Sequence, residues 1–184
     1  MNAQIKMTPV MPINKQTKIE NIVVIGAGSA GLATSYWLTR MKLNHIVLER
    51  GEIGNTWINE RWDGFHLVNP NWAVRLPGFH YTGSKPEGYL SKDSTVAYLH
   101  DYAKYFDSPV RTDVAVESLL KKDSSYLLNT SKGQNIDARC VIIATGAFGI
   151  PKIPNYASMI STSIKQIHSA EYKNPHSLPD GAVL

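Results

Sequence analysis

Three glycines and one acid are the residues best placed to do chemistry. Gly26, Gly28 and Gly31 lie in Ile22-Val23-Val24-Ile25-Gly26-Ala27-Gly28-Ser29-Ala30-Gly31, and Glu49 closes a second apolar run, Ile46-Val47-Leu48. Read in order, a short apolar strand enters a glycine turn, and the turn opens a helix. Gly26 permits the tight turn, Gly28 lets the backbone approach a pyrophosphate, and Gly31 lets helix and strand pack closely. The helix start at Ser29 and Ala30 offers free N–H groups and the positive end of a dipole, which suit phosphate. Glu49 lies 18 residues beyond Gly31, where a carboxylate accepts hydrogen bonds from a ribose diol. The chemistry implied is dinucleotide binding. Any tight strand-to-helix turn can use glycines, but the acid at the end of the second strand argues against that plainer reading. A carboxylate repels the 2′-phosphate of NADP, so the site suits FAD or NAD. Arg50 beside it either welcomes a phosphate or stacks on an adenine. The motif leaves FAD and NAD both open.

Those residues need elements to hold them. The pattern predicts a strand over 21–26 and a helix over 29–42, with Ala30, Ala33, Trp37, Leu38 and Met41 facing the sheet. A second strand follows over 45–49. Residues 51–92 are rich in Gly, Pro, Asn and aromatics and hold Trp57, Trp62 and Trp72. A structureless segment of that length inside a compact domain marks a functional segment. A helix is predicted over 93–106, capped near Ser91 or Asp93, with Val96, Leu99, Ala103 and Phe106 as its apolar stripe. After a short strand at 109–112, three more over 113–120, 125–130 and 135–139 suit an antiparallel meander. Val141-Ile142-Ile143-Ala144 reads as a buried parallel strand ending in Thr145-Gly146. Pro151, Pro154 and Pro175 mark an irregular connector. The fold class expected is α/β, a Rossmann-type parallel sheet with an antiparallel meander.

Composition bounds the alternatives. A chain of 184 residues holds one domain with a proper core. Hydrophobic content of 43% and charged content of 18% place it among soluble globular proteins. The net charge of +4 is mild and its Lys and Arg residues are scattered, which argues against nucleic acid as a partner. The single cysteine, Cys140, allows no disulfide framework and no CxxC pair; a small buried hydrophobe is expected there. No apolar run reaches the length of a membrane span. Residues 1–19 are polar, carry Pro9, Pro12 and several lysines, and read as a flexible leader without a signal core. The expected compartment is cytoplasmic, so the sequon at Asn129-Thr130-Ser131 is read as chance.

The whole pattern resembles the N-terminal part of the flavin-containing monooxygenase-like proteins, within the two-dinucleotide flavoproteins. Gly54-Asn55-Thr56-Trp57 resembles their second flavin-contacting turn, followed by Arg61-Trp62-Asp63. Leu67-Val68-Asn69-Pro70-Asn71-Trp72, with Leu76-Pro77-Gly78, is similar to the next block. Tyr89-Leu90-Ser91-Lys92-Asp93 resembles the start of the following helix. Ala144-Thr145-Gly146 is similar to the strand end that closes the FAD domain. Gln166-Ile167-His168-Ser169-Ala170-Glu171-Tyr172 resembles the linker before the NADPH domain. In the F-x-G-x-x-x-H-x-x-x-Y signature, His168 and Tyr172 match, while Thr162 and Ile164 replace the Phe and the Gly.

The resemblance implies an oxidoreductase flavoprotein with FAD held by the glycine turn, Glu49, Thr56, Trp57, Thr145 and Gly146. It places Val116 near the adenine, contacting it through backbone groups. In intact relatives NADPH reduces the FAD, and dioxygen then oxygenates a small-molecule substrate. The organisation implied is a leader over 1–19, an FAD-binding domain over 20–150 and a truncated linker over 151–184. That linker points toward a missing NADPH-binding domain, so a downstream C-terminal half becomes a possible partner. The alternative is a non-catalytic FAD-binding fragment or half of a split enzyme. A disulfide reductase is disfavoured by the lone Cys140, and a plain NAD-dependent dehydrogenase by the meander and the Ala144-Thr145-Gly146 ending. Trp57 and Trp62 either line the flavin or fill the core. Asn69 and Asn71 are turn formers before they are catalytic residues, and Val68 stands where relatives place a catalytic Asn. His66, His80 and His100 lack partners at metal-ligand spacing, and His168 is expected to fix linker geometry. No catalytic residue is assigned.

Overall fold

Alternation in the first apolar run decides the architecture, because Val23 and Val24 point to opposite faces of the same strand. A computed structural model describes residues 18–147 and 149–182, so the expected leader lies outside the described residues except at its last two positions. The elements are β1 (Lys18–Ile25), α1 (Ser29–Arg40), β2 (His45–Leu48), α2 (Asn55–Glu60), β3 (Arg75–Leu76) and β4 (Phe79–His80). They continue with α3 (Lys92–Tyr105), β5 (Val110–Arg111), β6 (Val116–Lys121), β7 (Tyr126–Thr130) and β8 (Asn135–Ile143). Six strands form one sheet in the order β5-β2-β1-β8-β7-β6. β5, β2, β1 and β8 run parallel, while β6 and β7 form the antiparallel meander. This is the α/β class expected from the sequence.

The two faces carry separate cores. Val24 and Val47 pack with Leu32 and Leu38 of α1 and with Leu99 and Tyr102 of α3. Val23, Ile46 and Leu48 pack on the other face with Val114, Leu128, Ile136 and Ala138. β2 is buried along its whole length, as a central parallel strand must be.

Four sequence expectations need correction. The predicted strands at 135–139 and 141–144 are one element, β8. Its first half pairs with β7 as far as Ala138, and its whole length runs beside β1 to the Ile25–Ile143 pair. Beyond Ala138 the described partner is β1 alone, which leaves Ile143 65% exposed and Cys140 exposed rather than buried. The third correction concerns α1, which turns Gly31, Leu32, Ser35 and Leu38 inward and leaves Ala30, Trp37 and Met41 in solvent. The glycine turn fixes that rotation. A Cβ on Gly31 would lie 1.8 Å from the Gly26 carbonyl oxygen, so this face alone can approach β1. Ser35 completes the inward face with polar bonds, its hydroxyl 2.8 Å from His45 Nε2 on β2 and 2.8 Å from the Ser108 hydroxyl.

Residues 51–92 are not structureless. They hold α2, a 3-10 turn at Asn71–Ala73 and the β3–β4 hairpin. Two tyrosines of α3 pin the hairpin. The Tyr102 hydroxyl donates to the Pro77 carbonyl at 3.0 Å, and the Tyr98 hydroxyl donates to the Phe79 carbonyl at 2.9 Å. α3 begins at the Ser91 cap, whose hydroxyl accepts from the Ser94 N–H at 3.2 Å.

Two outcomes follow from this packing. Gly31→Ala forces the close α1–β1 contact apart and should cost about 2–3 kcal/mol in a urea titration. Burial pushes both the Tyr102 and the Tyr98 phenol above 10.0. The unfolded chain therefore releases those protons first, and stability should fall as the pH rises past about 10. Urea midpoints at stepwise alkaline pH check this, and Tyr102→Phe should flatten the fall.

Candidate functional site

At the carboxyl ends of β1, β2 and β8 the sheet opens into a cleft of about 720 Å³. Gly26 turns the chain there at φ +106°, donating its N–H to the Leu48 carbonyl at 2.8 Å. A Cβ at Gly26 would sit 2.5 Å from the Ala144 oxygen, so the turn tolerates no side chain. Gly28 differs. Its backbone is extended, no side chain caps the start of α1, and an added Cβ would meet nothing within 4 Å. The space beside Gly28 is therefore open cleft, bounded by the first residues of α1, Ser29 and Ala30.

Glu49 stands at the end of β2 and is 7% exposed. One carboxylate oxygen accepts the Ala27 N–H at 2.7 Å, and the other accepts the Gly51 N–H at 3.1 Å. An ionised carboxylate offers about four lone-pair directions, so each oxygen keeps capacity for a hydroxyl donor. The same residue ties the following segment into place, since its N–H donates to Arg111 and its carbonyl accepts from Val114. Val114, Ala115 and Val116 line the cleft beside it.

The opposite wall comes from α2. Gly54 precedes it in the left-handed region at φ +77°, and its N–H reaches the Ala27 carbonyl at 3.3 Å. Thr56 and Trp57 line the cleft, and Trp57 also packs on the core and on Phe65 at 5.4 Å between centroids. The Arg61 guanidinium lies 5.3 Å from the Trp57 ring centroid. At the mouth Arg50 lines the cleft and pairs with Glu60. Just beyond β8, Thr145 and Gly146 complete the lining, with Gly146 at φ +82° and open space where a Cβ would stand.

One cleft thus brings together Gly26, Gly28, Ser29, Ala30, Glu49, Arg50, Thr56, Trp57, Val116, Thr145 and Gly146. Gly31 stands behind it as the packing residue of the turn. Sequence reasoning missed Glu60 and Arg61 as lining residues; Arg61 follows α2 with extended backbone, and helical spacing gave no signal for its place beside Trp57. Trp62 is 37% exposed against Phe65, and Val68, Asn69 and Asn71 also lie outside the lining. Asn71 is a buried loop brace whose amide donates to the Lys85 carbonyl at 2.9 Å. His168 holds the turn at 168–171, its Nδ1 accepting the Ala170 N–H and its carbonyl the Glu171 N–H. Among the described residues no helix is long and apolar enough to cross a membrane.

Known proteins match this chain over most of its length. The family model described as pyridine nucleotide-disulphide oxidoreductase matches residues 23–184. A CzcO-like uncharacterized oxidoreductase of Geobacillus kaustophilus is 40% identical over 167 residues, covering 90% of this chain and 47% of the relative. Bacillus subtilis CzcO is 37% identical over 163 residues, covering 88% of this chain and 46% of the relative. Among solved structures, a double mutant of the flavin monooxygenase from Stenotrophomonas maltophilia superposes with a TM-score of 0.79 at 29% identity. That superposition covers 87% of this chain and 48% of the monooxygenase. The chain spans about half the length of the curated relatives it matches. Over residues 23–184 this chain belongs to the pyridine nucleotide-disulphide oxidoreductase family, in a region similar to the FAD-binding part of flavin monooxygenases.

Proposed function

We propose that this chain is the FAD-binding part of a flavoprotein oxidoreductase of the monooxygenase type. The observation that carries the reading is the pairing of open space at Gly28 with the buried Glu49 carboxylate on one cleft. A glycine whose Cβ would project into the cleft lets a bulky pyrophosphate approach the backbone. Gly26, Gly28, Ser29 and Ala30 would hold that pyrophosphate at the uncapped start of α1. Glu49 would take the ribose hydroxyls on its remaining lone pairs, and Val116 would flank the adenine through its backbone. Thr56, Trp57, Thr145 and Gly146 would bound the flavin end. The likeness to flavin monooxygenases supports FAD over NAD.

When bound, FAD supplies two-electron transfer between NADPH and dioxygen, as the resemblance implies for intact relatives acting on small molecules. The protein's own part is positional: it fixes the cofactor by its phosphates and ribose and leaves the Trp57–Arg61 wall beside the cleft. In this organisation residues 20–150 carry the cofactor, and residues 151–184 lead toward a NADPH-binding domain. A second reading is an FAD-binding unit that is not catalytic alone. It is favoured by the chain spanning about half the length of the curated relatives it matches. The rival disulfide chemistry finds no support in the site, since Cys140 lies on β8 outside the cleft lining.

Purified chain should bind FAD in preference to FMN, because the glycine turn and Glu49 contact an adenosine half that FMN lacks. Gly28→Val should leave the melting temperature unchanged while lowering FAD affinity roughly 100-fold, about 3 kcal/mol. Glu49→Ala should weaken FAD by about 1–3 kcal/mol and also lower stability, since the Ala27 and Gly51 N–H groups lose their acceptor. Flavin fluorescence titrations of wild type and both variants measure this. Equal affinity for FMN and FAD would contradict the assignment.

A further inference from the structure

α2 has a physical problem at its far end. It is six residues long, has no basic residue in its last turn and receives no side-chain bond at its start. Its closing carbonyls therefore need a donor from elsewhere. They find it more than 110 residues away in the chain. The Lys173 ammonium donates to the Asn59 carbonyl at 2.5 Å and reaches the Arg61 carbonyl at 3.4 Å. Two further bonds seat the same stretch: the Asp63 N–H donates to the Lys173 carbonyl at 2.8 Å, and the Asn174 amide donates to the Asp63 carboxylate at 2.8 Å. A cation on the last carbonyls of a helix satisfies them and complements the negative end of the helix dipole.

What Lys173 holds is a wall of the cleft. Arg61, the C-cap of α2, has extended backbone, and its side chain returns over the rings of Trp57 at 5.3 Å and Phe65 at 5.9 Å. Glu60, one residue earlier, pairs with Arg50 across the mouth. Both side chains take their direction from where the chain leaves the helix, and that exit is where the ammonium sits. We propose that Lys173 is a positioning residue for the cofactor cleft: by clamping the end of α2 it sets the placement of Trp57 and Arg61. The Lys173 ammonium bonds main-chain carbonyls at the end of α2 and acts through them. The segment carrying it, read from sequence as a linker, thereby becomes part of the cofactor site. The proposal rests on the reading that this cleft holds FAD.

Lys173→Met and Lys173→Arg separate the ammonium from the rest of the seat, because the Asp63 N–H bond goes to the Lys173 backbone and survives both changes. Three measurements on the full chain are needed: FAD affinity, ADP affinity and visible circular dichroism of bound flavin. ADP carries only the adenosine and pyrophosphate, so it reads the glycine turn and Glu49 without the α2 wall. Lys173→Met should lose about tenfold in FAD affinity, the order expected for a charge-assisted contact, keep wild-type ADP affinity and change the dichroism. Lys173→Arg should restore both. Hydrogen exchange across residues 55–61 of the cofactor-free protein should quicken in Lys173→Met and not in Lys173→Arg. Asn174→Ala, which removes only the Asp63 bond, should leave the ratio of FAD to ADP affinity at the wild-type value. Wild-type FAD affinity and dichroism in Lys173→Met overturn the proposal, as does an equal loss of FAD and ADP. A wild-type chain that binds neither ligand overturns the reading of the cleft and the proposal together.

Discussion

A buried carboxylate held by backbone N–H groups organises this molecule. Glu49 sits at the end of β2, almost out of solvent, with the Ala27 N–H on one oxygen and the Gly51 N–H on the other. Burying a charge is costly unless hydrogen bonds replace the lost water. Here the replacement donors are the main chain of the glycine turn itself. The acid therefore locks the turn between β1 and α1 to the end of β2. Through its own backbone it also joins Arg111 and Val114, which begin the path into the meander. The turn, the end of β2, Gly51 and the Arg111–Val114 stretch thus meet on one residue, through its carboxylate and its main chain, and they border the cleft.

The rest of the structure serves that junction. α1 can carry its N-terminus to the turn because Gly31 permits contact with Gly26, and Ser35 then ties the helix to His45 and Ser108. α3 supplies a second brace: Leu99 lies 3.3 Å from where a Cβ on Gly54 would stand, against the turn that starts α2. Its tyrosines hold the hairpin of the long middle segment by two hydroxyl bonds. Aromatic contacts join Tyr36, Phe79, Tyr102 and Phe106 into the same layer. The cleft thus has a rigid floor, from the turn and the strand ends, and a wall whose end is fixed by the distant Lys173.

Much of this was legible in the residues. The glycine spacing, the alternating β1 and the acid after Leu48 predict the turn, the parallel sheet and the lining from Gly26 to Glu49, because each is a local rule of backbone geometry. What was not legible depends on contacts between distant segments. Periodicity alone cannot choose the buried face of α1 when Trp37 and Met41 are as apolar as Leu38; the close Gly31 contact chooses it. The pieces 135–139 and 141–144 read as separate strands, one in the meander and one an apolar run suited to a buried parallel strand. Continuous pairing with β1 carries one strand through both. The Arg50–Glu60 pair and the Lys173 clamp have no local signature, as their partners lie 10 and 114 residues apart.

The central claim is that the turn and Glu49 form one receptor for an adenine dinucleotide. A crystal structure of the chain grown with FAD tests it most directly. The account predicts the pyrophosphate against Gly28 at the start of α1, with ribose hydroxyls on the Glu49 carboxylate beside the retained Ala27 bond. An FAD whose ribose lies away from Glu49, or whose phosphates are held by Arg50 instead of the turn, would contradict it.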